Sequence, residues 1–283
     1  MCESLNSKNV ASIIVCSNNY DNLKEISIPF LKKLTDMFIV KIYLDNSTSK
    51  EGNLKQLCYQ NNIELIKPHV SGLSTLRNIA LENCDSKFII FLDDDLQSTL
   101  NSLTQMIGLL ESNFHAVGLF LSSPEYVHNS NHFISINQYH YLGLHNASTR
   151  NSIWGACMGF KMETIGNNNL SFNETLGRKS GILISGEDTS FVNQIKDLGY
   201  QTKLICVNDT YHWVAKSKLT FKYMMKRVFA QGVTEVMRES SYYGFRKELN
   251  RNFHHITLHT LLVSPWWIIV YSFGVLYGLI KFK

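Results

Sequence analysis

The chain has 283 residues, of which 45% are hydrophobic, a composition that is ordinary for a folded protein. Its six cysteines form no CxxC pair and no Cys/His cluster at metal spacing, and we recognise no secretory leader, so we expect a reducing, cytosolic compartment. The net charge of +4 is uneven, because residues 1–217 carry 17 basic and 20 acidic groups whereas residues 218–283 carry 10 and 3. Since this basic tail is also strongly apolar, it favours an anionic membrane surface as a partner and argues against nucleic acid.

Apolar runs and amphipathic segments alternate from Val10 to Asp95. The predicted elements, in chain order, are the strand and loop VASIIVCSNNY, the helix NLKEISIPFLKKL, the strand FIVKIYLDNST, the helix KEGNLKQLCYQNN, the strand IELIKP, the helix LSTLRNIALENC and the strand KFIIFLDDDL. Strands that alternate with helices in this way indicate an α/β fold with a mostly parallel, doubly wound sheet flanked by helices.

The alternation is looser after Gln97. LTQMIGLLES predicts a helix, AVGLFLS predicts a strand, and residues 123–152 are polar and loop-rich. Regular structure resumes in IWGACMGFKMETI and in GEDTSFVNQIKDLGYQTKLI, where Ser185 or Gly186 opens a helix. Glu187 and Asp188 lie in the first turn of that helix, where the helix dipole stabilises acids, so a capping role is one explanation for the pair.

The basic tail begins with a predicted amphipathic helix. In KLTFKYMMKRVFAQGVTEVMRES the apolar residues between Phe221 and Met237 form one stripe, and Lys218, Lys222 and Lys226 form another. This pattern is typical of a helix at a membrane interface and equally of a surface helix packed on the domain.

The last segment of the chain, from Leu261 to Ile280, contains 20 residues without a charge. Paired tryptophans and several tyrosines are typical of interfacial anchors, and Pro265 lies near the start, where a helix tolerates it. The length and composition predict a membrane-spanning or re-entrant helix in preference to a buried core helix.

Three carboxylates, Asp93, Asp94 and Asp95, end the apolar strand FIIFL. The ends of strands at one sheet edge are where open α/β folds place their chemistry. Adjacent acids repel one another, so a metal ion or a cationic side chain is expected to hold them together at neutral pH. Asp93 and Asp95 can point at one divalent cation, and Mn²⁺ or Mg²⁺ suits their oxygen ligands. A solvated acidic turn is the alternative, although such turns seldom follow five consecutive apolar residues.

Four further side chains are candidates for chemistry. Asp188 can act as a general base, and His212 can be a metal ligand through a neutral imidazole nitrogen. Asp45, at the end of the second predicted strand, can accept hydrogen bonds from a base or ribose, and Arg77 can pair with a phosphate. The alternatives are a packed histidine at position 212 and surface polar residues at the other positions.

The order of the motifs is more informative than any one of them. The succession SIIVCSNNY, IYLDNST, GLSTLRNIAL, FIIFLDDDL, WGACMGF, SGEDTSFVNQIKDLGY and YHWVAKSKLTFKYMMKRVFAQG resembles family 2 glycosyltransferases over about residues 10 to 235. Members of this family are inverting enzymes with the GT-A nucleotide-diphospho-sugar transferase fold. The resemblance therefore implies a Rossmann-like, mixed and mostly parallel sheet flanked by helices, and the pattern of the last segments adds a C-terminal helical membrane-associating tail.

The resemblance and the composition of the tail together predict a division of the chain. Residues 1–217 would form the GT-A catalytic domain, with a nucleotide-sugar half at about 1–97 and an acceptor half at about 98–217. Residues 218–255 would form basic amphipathic helices, and residues 256–283 a membrane-associated or transmembrane helix.

The resemblance implies a role for each matched residue on the donor side. Residues that would bind the nucleotide sugar are Ser17, Asn18, Asp45, Arg77, Asp93 and Asp94. Asp95 would bind the metal that bridges the diphosphate, and His212 would approach that diphosphate or the metal.

On the acceptor side, Asp188 would be the catalytic base and Glu187 its neighbour near the acceptor. Trp154 and Gly155 would help to shape this side of the site. The implied reaction moves a sugar from a nucleotide-diphospho-sugar, with a UDP-sugar favoured, to a hydroxyl of a glycan or lipid-linked acceptor. It would require Mn²⁺ or Mg²⁺ and would take place at the cytoplasmic face of the cell membrane.

Three other functions are alternatives. FLDDDL superficially resembles the nucleophile loop of haloacid-dehalogenase-like phosphatases, but Gln97 replaces the Thr or Val of that motif. A sugar-1-phosphate nucleotidyltransferase needs a glycine-rich loop after the first strand, and CSNNYDN contains no glycine. A catalytically inactive, membrane-attached sugar-nucleotide-binding protein is the third alternative, against which the intact Asp95 and Asp188 argue.

Overall fold

The computed structural model describes residues 10–49, 51–122, 127, 133–149, 151–178, 183–238 and 241–282. The strands are β1 (Ala11–Ser17), β2 (Ile39–Leu44), β3 (Glu64–Ile66), β4 (Phe88–Leu92), β5 (Leu96–Gln97), β6 (Phe114–Leu119), β7 (Cys157–Lys161), β8 (Gln201–Ile205) and β9 (Tyr211–His212). The α-helices are α1 (Tyr20–Asn22), α2 (Ile28–Leu31), α3 (Glu51–Gln60), α4 (Leu73–Glu82), α5 (Leu100–Glu111), α6 (Met162–Asn167), α7 (Glu187–Asp197), α8 (Phe221–Met237), α9 (Ser241–Asn252) and α10 (Leu258–Phe282).

The described residues contain a seven-stranded sheet with the order β3-β2-β1-β4-β7-β6-β8. Strands β3, β2, β1 and β4 are mutually parallel, β7 runs antiparallel to both β4 and β6, and β8 is parallel to β6. The predicted mixed and mostly parallel sheet flanked by helices is therefore confirmed. Every residue of β1 and of β4 is buried, because helices cover both faces of the sheet.

Alternate residues of the central strands belong to two separate apolar clusters, one on each face of the sheet. Ile13 and Val15 pack in the cluster formed with α2, α3 and α5, whereas Ile14 and Cys16 pack in the cluster formed with α4 and α7. This alternation follows from the two-residue period of a strand. Because β1, β2 and β4 are parallel, their carboxyl ends lie together at one edge of the sheet, which is the place predicted for the site.

The first predicted helix is broken in the structure. A π-helical turn at Leu23–Ser27 separates α1 from α2, and Pro29 is the second residue of α2. Proline lacks a backbone N–H donor, so the regular i to i−4 hydrogen bonding cannot continue through it.

Part of the segment predicted to be polar and loop-rich, 123–152, is buried. Residues 123–126, 128–132 and 150 lie outside the described residues, but Ile136–Leu142 forms a 3₁₀ helix. Tyr139 and Tyr141 from this helix lie in a third apolar cluster, together with Met224 of α8 and Trp267 of α10. The sequence interpretation did not anticipate this burial, which arises because Tyr139, His140 and Tyr141 pack against the C-terminal helices.

The C-terminal helix α10 packs closely on α8. A β-carbon at Gly232 would lie 2.2 Å from the carbonyl oxygen of Tyr271, and one at Gly274 would lie 2.0 Å from the carbonyl oxygen of Phe229. Only glycine at both positions permits this backbone approach. On the apolar stripe predicted for α8, Met224 and Val228 are buried, whereas Phe221 is 52% exposed.

The opposite side of α10 is exposed and apolar. By length and composition, α10 is long and apolar enough to cross a membrane, with a mean hydropathy of 1.6 over its most apolar window. Its most exposed large apolar side chains are Leu258, Leu262, Trp266, Phe273 and Ile280. The predicted apolar C-terminal helix is thus present, and it contributes one face to the protein core.

Candidate functional site

A cavity of about 260 Å³ opens at the carboxyl edge of the sheet. Every residue that the sequence interpretation assigned to the site lines this cavity. They are Ser17, Asn18, Asp45, Arg77, Asp93, Asp94, Asp95, Trp154, Gly155, Glu187, Asp188 and His212. The cavity therefore brings together residues from both halves of the chain.

Asp45 lies just after β2 and is held by neighbouring donors. The Gly72 N–H donates to Asp45 Oδ2 at 2.7 Å, and the Ser47 hydroxyl donates to Asp45 Oδ1 at 2.6 Å. Burial alone would raise the pKa of Asp45, but these hydrogen bonds lower it overall. The Thr48 hydroxyl donates to the carbonyl oxygen of Asn18 at 3.2 Å, which ties the loop after β2 to the loop after β1.

Asp94 faces the first loop. Its carboxylate accepts hydrogen bonds from the Ser17 hydroxyl and, at 2.8 Å, from Asn22 Nδ2. Burial, with a further contribution from the nearby Asp95 carboxylate, raises the pKa of Asp94 to about 6. The middle acid of the triplet thus fixes the loop after β1, while the two outer acids face the centre of the cavity.

Asp93, Asp95 and His212 form a group whose ligand atoms all lie within 4.8 Å of one another. Strand β9 pairs with β5, so that Leu96 lies opposite His212, and His212 Nε2 lies 2.9 Å from Asp95 Oδ1. The other ring nitrogen, Nδ1, donates to the carbonyl oxygen of Gly143 at 3.2 Å, which fixes the orientation of the ring. Gly143 has a φ of 75°, and a β-carbon there would lie 2.8 Å from His212 Cε1.

This donor set fits a divalent cation such as Mn²⁺. Two carboxylates and an imidazole are ligand types that Mn²⁺ accepts, and Mg²⁺ also suits the oxygen ligands. The ammonium group of Lys218 already lies 2.9 Å from Asp95 Oδ2 and acts as a cation at this site. Burial alone would raise the pKa of Asp95, but His212 and Lys218 hold it well below its ordinary range.

The contact of Lys218 with Asp95 was missed by the sequence interpretation, which placed Lys218 on a basic stripe of the tail. The available signal was its position in the same motif as His212, YHWVAKSK. Residues of the basic tail therefore complete the cavity. Other residues of the tail that line it are Arg227, Gln231, Glu235, Arg238, Lys247 and Arg251.

Arg77, predicted to pair with a phosphate, is largely enclosed by protein groups. Its side chain is 2% exposed, and its guanidinium lies 3.0 Å from Glu187 Oε1 and 3.2 Å from Asp93 Oδ1. It also donates to the carbonyl oxygen of Gly155 at 3.2 Å. The structure thus gives Arg77 two carboxylate partners, and we interpret it as the residue that fixes Asp93 and Glu187 in the cavity wall.

Asp188 is fixed by backbone donors. Gly155 N–H donates to Asp188 Oδ2 at 2.7 Å, and Thr189 N–H donates to Asp188 Oδ1 at 2.6 Å. Helix α7 begins immediately after Gly186, whose φ of 92° lies in the region that favours glycine. The carboxylate is half-buried and directed into the cavity, a geometry that suits a general base and also a helix-capping group.

The neighbouring Glu187 is buried and lacks one hydrogen bond. Burial and the adjacent Asp188 raise its pKa, while Arg77 opposes this shift. Among the described residues, Glu187 Oε2 has no hydrogen-bond partner. Trp154, also predicted on this side, stacks on His145 with ring centroids 4.0 Å apart.

A mixed, mostly parallel sheet with an acidic pair at the end of β4 and an acid at the start of α7 defines the GT-A class of nucleotide-diphospho-sugar glycosyltransferases. Residues 12–165, more than half of the chain, match the family described as glycosyl transferase family 2, and the chain belongs to that family. No curated protein sequence matches the chain.

Solved structures share the fold at low sequence identity. A mannosyltransferase from Pyrobaculum calidifontis, in complex with GDP-Man and Mn²⁺, has a TM-score of 0.62 and 13% identity, over 98% of this chain and 76% of its own. S. aureus TarS 1–349 in complex with UDP-GlcNAc has a TM-score of 0.53 and 16% identity, over 92% and 79%. Glucosyl-3-phosphoglycerate synthase from Mycobacterium tuberculosis, in complex with Mn²⁺, UDP and glucosyl-3-phosphoglycerate, has a TM-score of 0.51 and 12% identity, over 81% and 80%.

Proposed function

We propose that this glycosyltransferase moves a sugar from a nucleotide-diphospho-sugar to a hydroxyl of a glycan or lipid-linked acceptor, with inversion at the anomeric carbon. The observation that carries the proposal is that Asp188 and the group Asp93, Asp95 and His212 line one cavity. Attack by a hydroxyl requires a base, and departure of a diphosphate requires positive charge. One cavity contains candidates for both.

Asp188 is proposed as the base. The pKa of an acceptor hydroxyl is far above 7, so a carboxylate assists by accepting its proton while the bond to the anomeric carbon forms. The N–H groups of Gly155 and Thr189 orient the two carboxylate oxygens before the substrate arrives. Attack from the face opposite the diphosphate inverts the anomeric centre.

The donor is proposed to occupy the end of the cavity between the loops after β1 and β2. Ser17, Asn18 and Asp45 line that end. Asp93, Asp95 and His212 would hold Mn²⁺ or Mg²⁺, and such an ion neutralises charge that develops on a leaving diphosphate. The similar structures contain GDP-Man, UDP-GlcNAc or UDP, which supports a nucleotide-diphospho-sugar donor, and a UDP-sugar is our first choice.

We also propose that the protein associates with the cytoplasmic face of a membrane through α10. The exposed apolar side of this helix, with Trp266 and Phe273, supports the association with a membrane. A lipid-linked or growing surface glycan would then be presented close to the cavity.

The test is calorimetry of the full chain against UDP-, GDP- and dTDP-sugars, each with and without Mn²⁺, with CMP-sugars as single-phosphate comparisons. We expect one diphosphate donor to bind in a metal-dependent way. Asp95→Ala should weaken this binding, whereas Asp197→Ala, at the exposed end of α7, should leave it unchanged. Binding of no donor would overturn the proposal.

A further inference from the structure

The cavity has a second, basic end beyond Asp188. Four cationic side chains line it, from helices α8 and α9, and we call this set the basic wall. Its members are Arg227, Arg238, Lys247 and Arg251. The basic wall begins at the turn that carries the proposed base, because a β-carbon at Gly186 would lie 3.1 Å from Arg238 Cδ.

Within the described ranges, the basic wall forms two salt bridges, of Arg238 with Glu235 and of Arg251 with Glu248. Arg227 donates to neutral groups, the Ser185 hydroxyl at 3.0 Å and the carbonyl oxygen of Leu183 at 3.5 Å. Arg238 lies 3.5 Å from Glu235 Oε1, which also accepts a hydrogen bond from Gln231. Among the described residues, the positive charge of this wall is therefore only partly paired.

Arg251 is a buried member of the basic wall, and its contact with the nearest acid is long. It is 9% exposed, and its Nη1 lies 3.8 Å from Glu248 Oε2. The other oxygen of Glu248 is shared by His140 and Asn252 Nδ2, each at 2.8 Å, and the Tyr141 hydroxyl. Among the described residues, the buried Nε of Arg251 has no hydrogen-bond partner. Nearly all buried polar groups have partners, so the hydrogen bonding of the Arg251 guanidinium is incomplete among the described residues, while the residue itself lines the cavity.

Lys247 adds a fourth observation. Burial, reinforced by the nearby Arg251, lowers the pKa of Lys247 to about 8. Like charges crowded in a partly buried wall destabilise one another, and an anionic ligand would relieve that repulsion.

We propose that the basic wall binds a phosphate group of the acceptor, next to the hydroxyl that Asp188 deprotonates. This inference rests on the proposed function, since it assigns the substrate class of the same site. Arginine guanidinium groups bind the planar edges of phosphate through paired hydrogen bonds, and arginines from separate elements converge here. The donor diphosphate belongs to the other end of the cavity, with Asp95 and His212, so the two anions would have separate positions.

The phosphate can come from two sources. A lipid carrier would present it at the membrane, close to the apolar side of α10, and a phosphorylated sugar or polyol would present it in solution. Octyl phosphate and glycerol 3-phosphate represent these two sources, and octyl glucoside serves as the neutral comparison.

The test measures binding of each probe to the full chain by calorimetry, with and without saturating UDP and Mn²⁺. The test variant is Arg227→Gln with Lys247→Gln, which removes two cations of the basic wall. The control is Lys222→Gln with Lys226→Gln, which removes two exposed cations of α8. We expect the test variant to bind the phosphate probes about tenfold more weakly or worse, and the control to stay within about twofold of the original protein.

Tighter binding of octyl phosphate than of glycerol 3-phosphate would indicate a lipid-linked acceptor. Equal affinity for the two probes would indicate that the phosphate alone is recognised. Both results support the inference. Equal probe binding by the test variant and the control would overturn it, and so would displacement of the probes by UDP. Thermal unfolding of both variants shows whether they are folded. Failure of every donor of the nucleotide-sugar panel to bind the original protein would instead contradict the proposed function, and the probe affinities would still be readable without nucleotide.

Discussion

Lys218 and Asp95 form a close ion pair at the centre of the cavity, with Lys218 Nζ 2.9 Å from Asp95 Oδ2. Their side chains are 19% and 11% exposed, so this pair is more protected from solvent than a surface salt bridge. The positively charged ammonium group of Lys218 thus lies beside the carboxylate that is proposed to bind a divalent cation. The two cations compete for one ligand.

Replacing Lys218 is expected to strengthen Mn²⁺ binding in the absence of nucleotide. Lys218→Met removes the competing charge and frees Asp95 Oδ2, and we expect Mn²⁺ to bind about three- to tenfold more tightly. Electron paramagnetic resonance of free Mn²⁺ during a titration measures this directly. Lys216→Met, at an exposed position of the same loop, is the matched control. Weaker Mn²⁺ binding in Lys218→Met would show that the lysine supports the metal site.

Asp188→Asn is expected to stop sugar transfer while leaving donor binding nearly unchanged. The amide oxygen can accept only one of the two backbone hydrogen bonds, from Gly155 N–H or from Thr189 N–H, so the side chain keeps one of its two contacts while the proton acceptor is lost. We expect kcat to fall by about 10²- to 10⁴-fold. Transfer is measured by chromatography of the glycosylated acceptor, and donor affinity by calorimetry. Asp197→Asn, at the other end of α7, should have normal kcat, and normal turnover in Asp188→Asn would remove it as the base.

The sheet and the strand-end acids could be predicted because their signals are local. Five apolar residues followed by Asp93 mark a buried strand that emerges at the sheet edge, and the helix of Asp188 has a glycine at its start. The ion pairs of Arg77 could not be predicted in this way, since Glu187 is 110 residues distant in the chain. The pairing of β5 with β9 involves two residues on each strand, too few for any periodic signal.

The C-terminal segment shows another limit of pattern analysis. The apolar stripe of α8 is equally suited to a membrane surface and to the protein core, and burial of Val228 and exposure of Phe221 show that position along the helix decides between them. Similarly, Arg227 and Lys226 are adjacent in sequence, but Arg227 lines the cavity while Lys226 is exposed. Only the docking of α10 and α9 determines which basic residues face the site.

Arg77→Met is expected to destabilise the fold strongly. It would leave the Glu187 carboxylate, whose side chain is 8% exposed, without its charged partner. Breaking a buried pair by removing one member costs about 3 to 5 kcal/mol, and the partial exposure of Asp93 keeps the expected loss toward the lower end. Urea unfolding measures the free energy. The double variant Arg77→Met with Glu187→Gln should recover part of the loss, and no recovery would mean that the pair with Glu187 is not the main stabilising contact.

Glu248 is expected to make stability sensitive to acid. Burial would raise its pKa, but His140 and Arg251 lower the value to about 2, from 4.5. Because the folded state holds the proton more weakly than the unfolded chain, the stabilisation is complete above about pH 4.5 and is lost as the pH falls toward 2. In Glu248→Gln, the free energy of unfolding should therefore fall less steeply between pH 4.5 and pH 3. Glu111→Gln, at an exposed position, should reproduce the original slope.

Membrane association is best tested by substitutions on the exposed side of α10. Deleting residues 256–283 would also remove Trp267 and Tyr271, which are 1% and 0% exposed, and would open the core that α8 shares. Trp266→Ser with Phe273→Ser changes two side chains that are 67% and 59% exposed, so folding should be retained. We expect this variant to lose most of its binding to anionic vesicles in a flotation assay, because interfacial aromatic residues anchor such helices. Tyr59→Ser, on α3, removes an aromatic ring that is 84% exposed and should leave flotation unchanged. Unchanged flotation of the α10 variant would place the membrane contact elsewhere or exclude it.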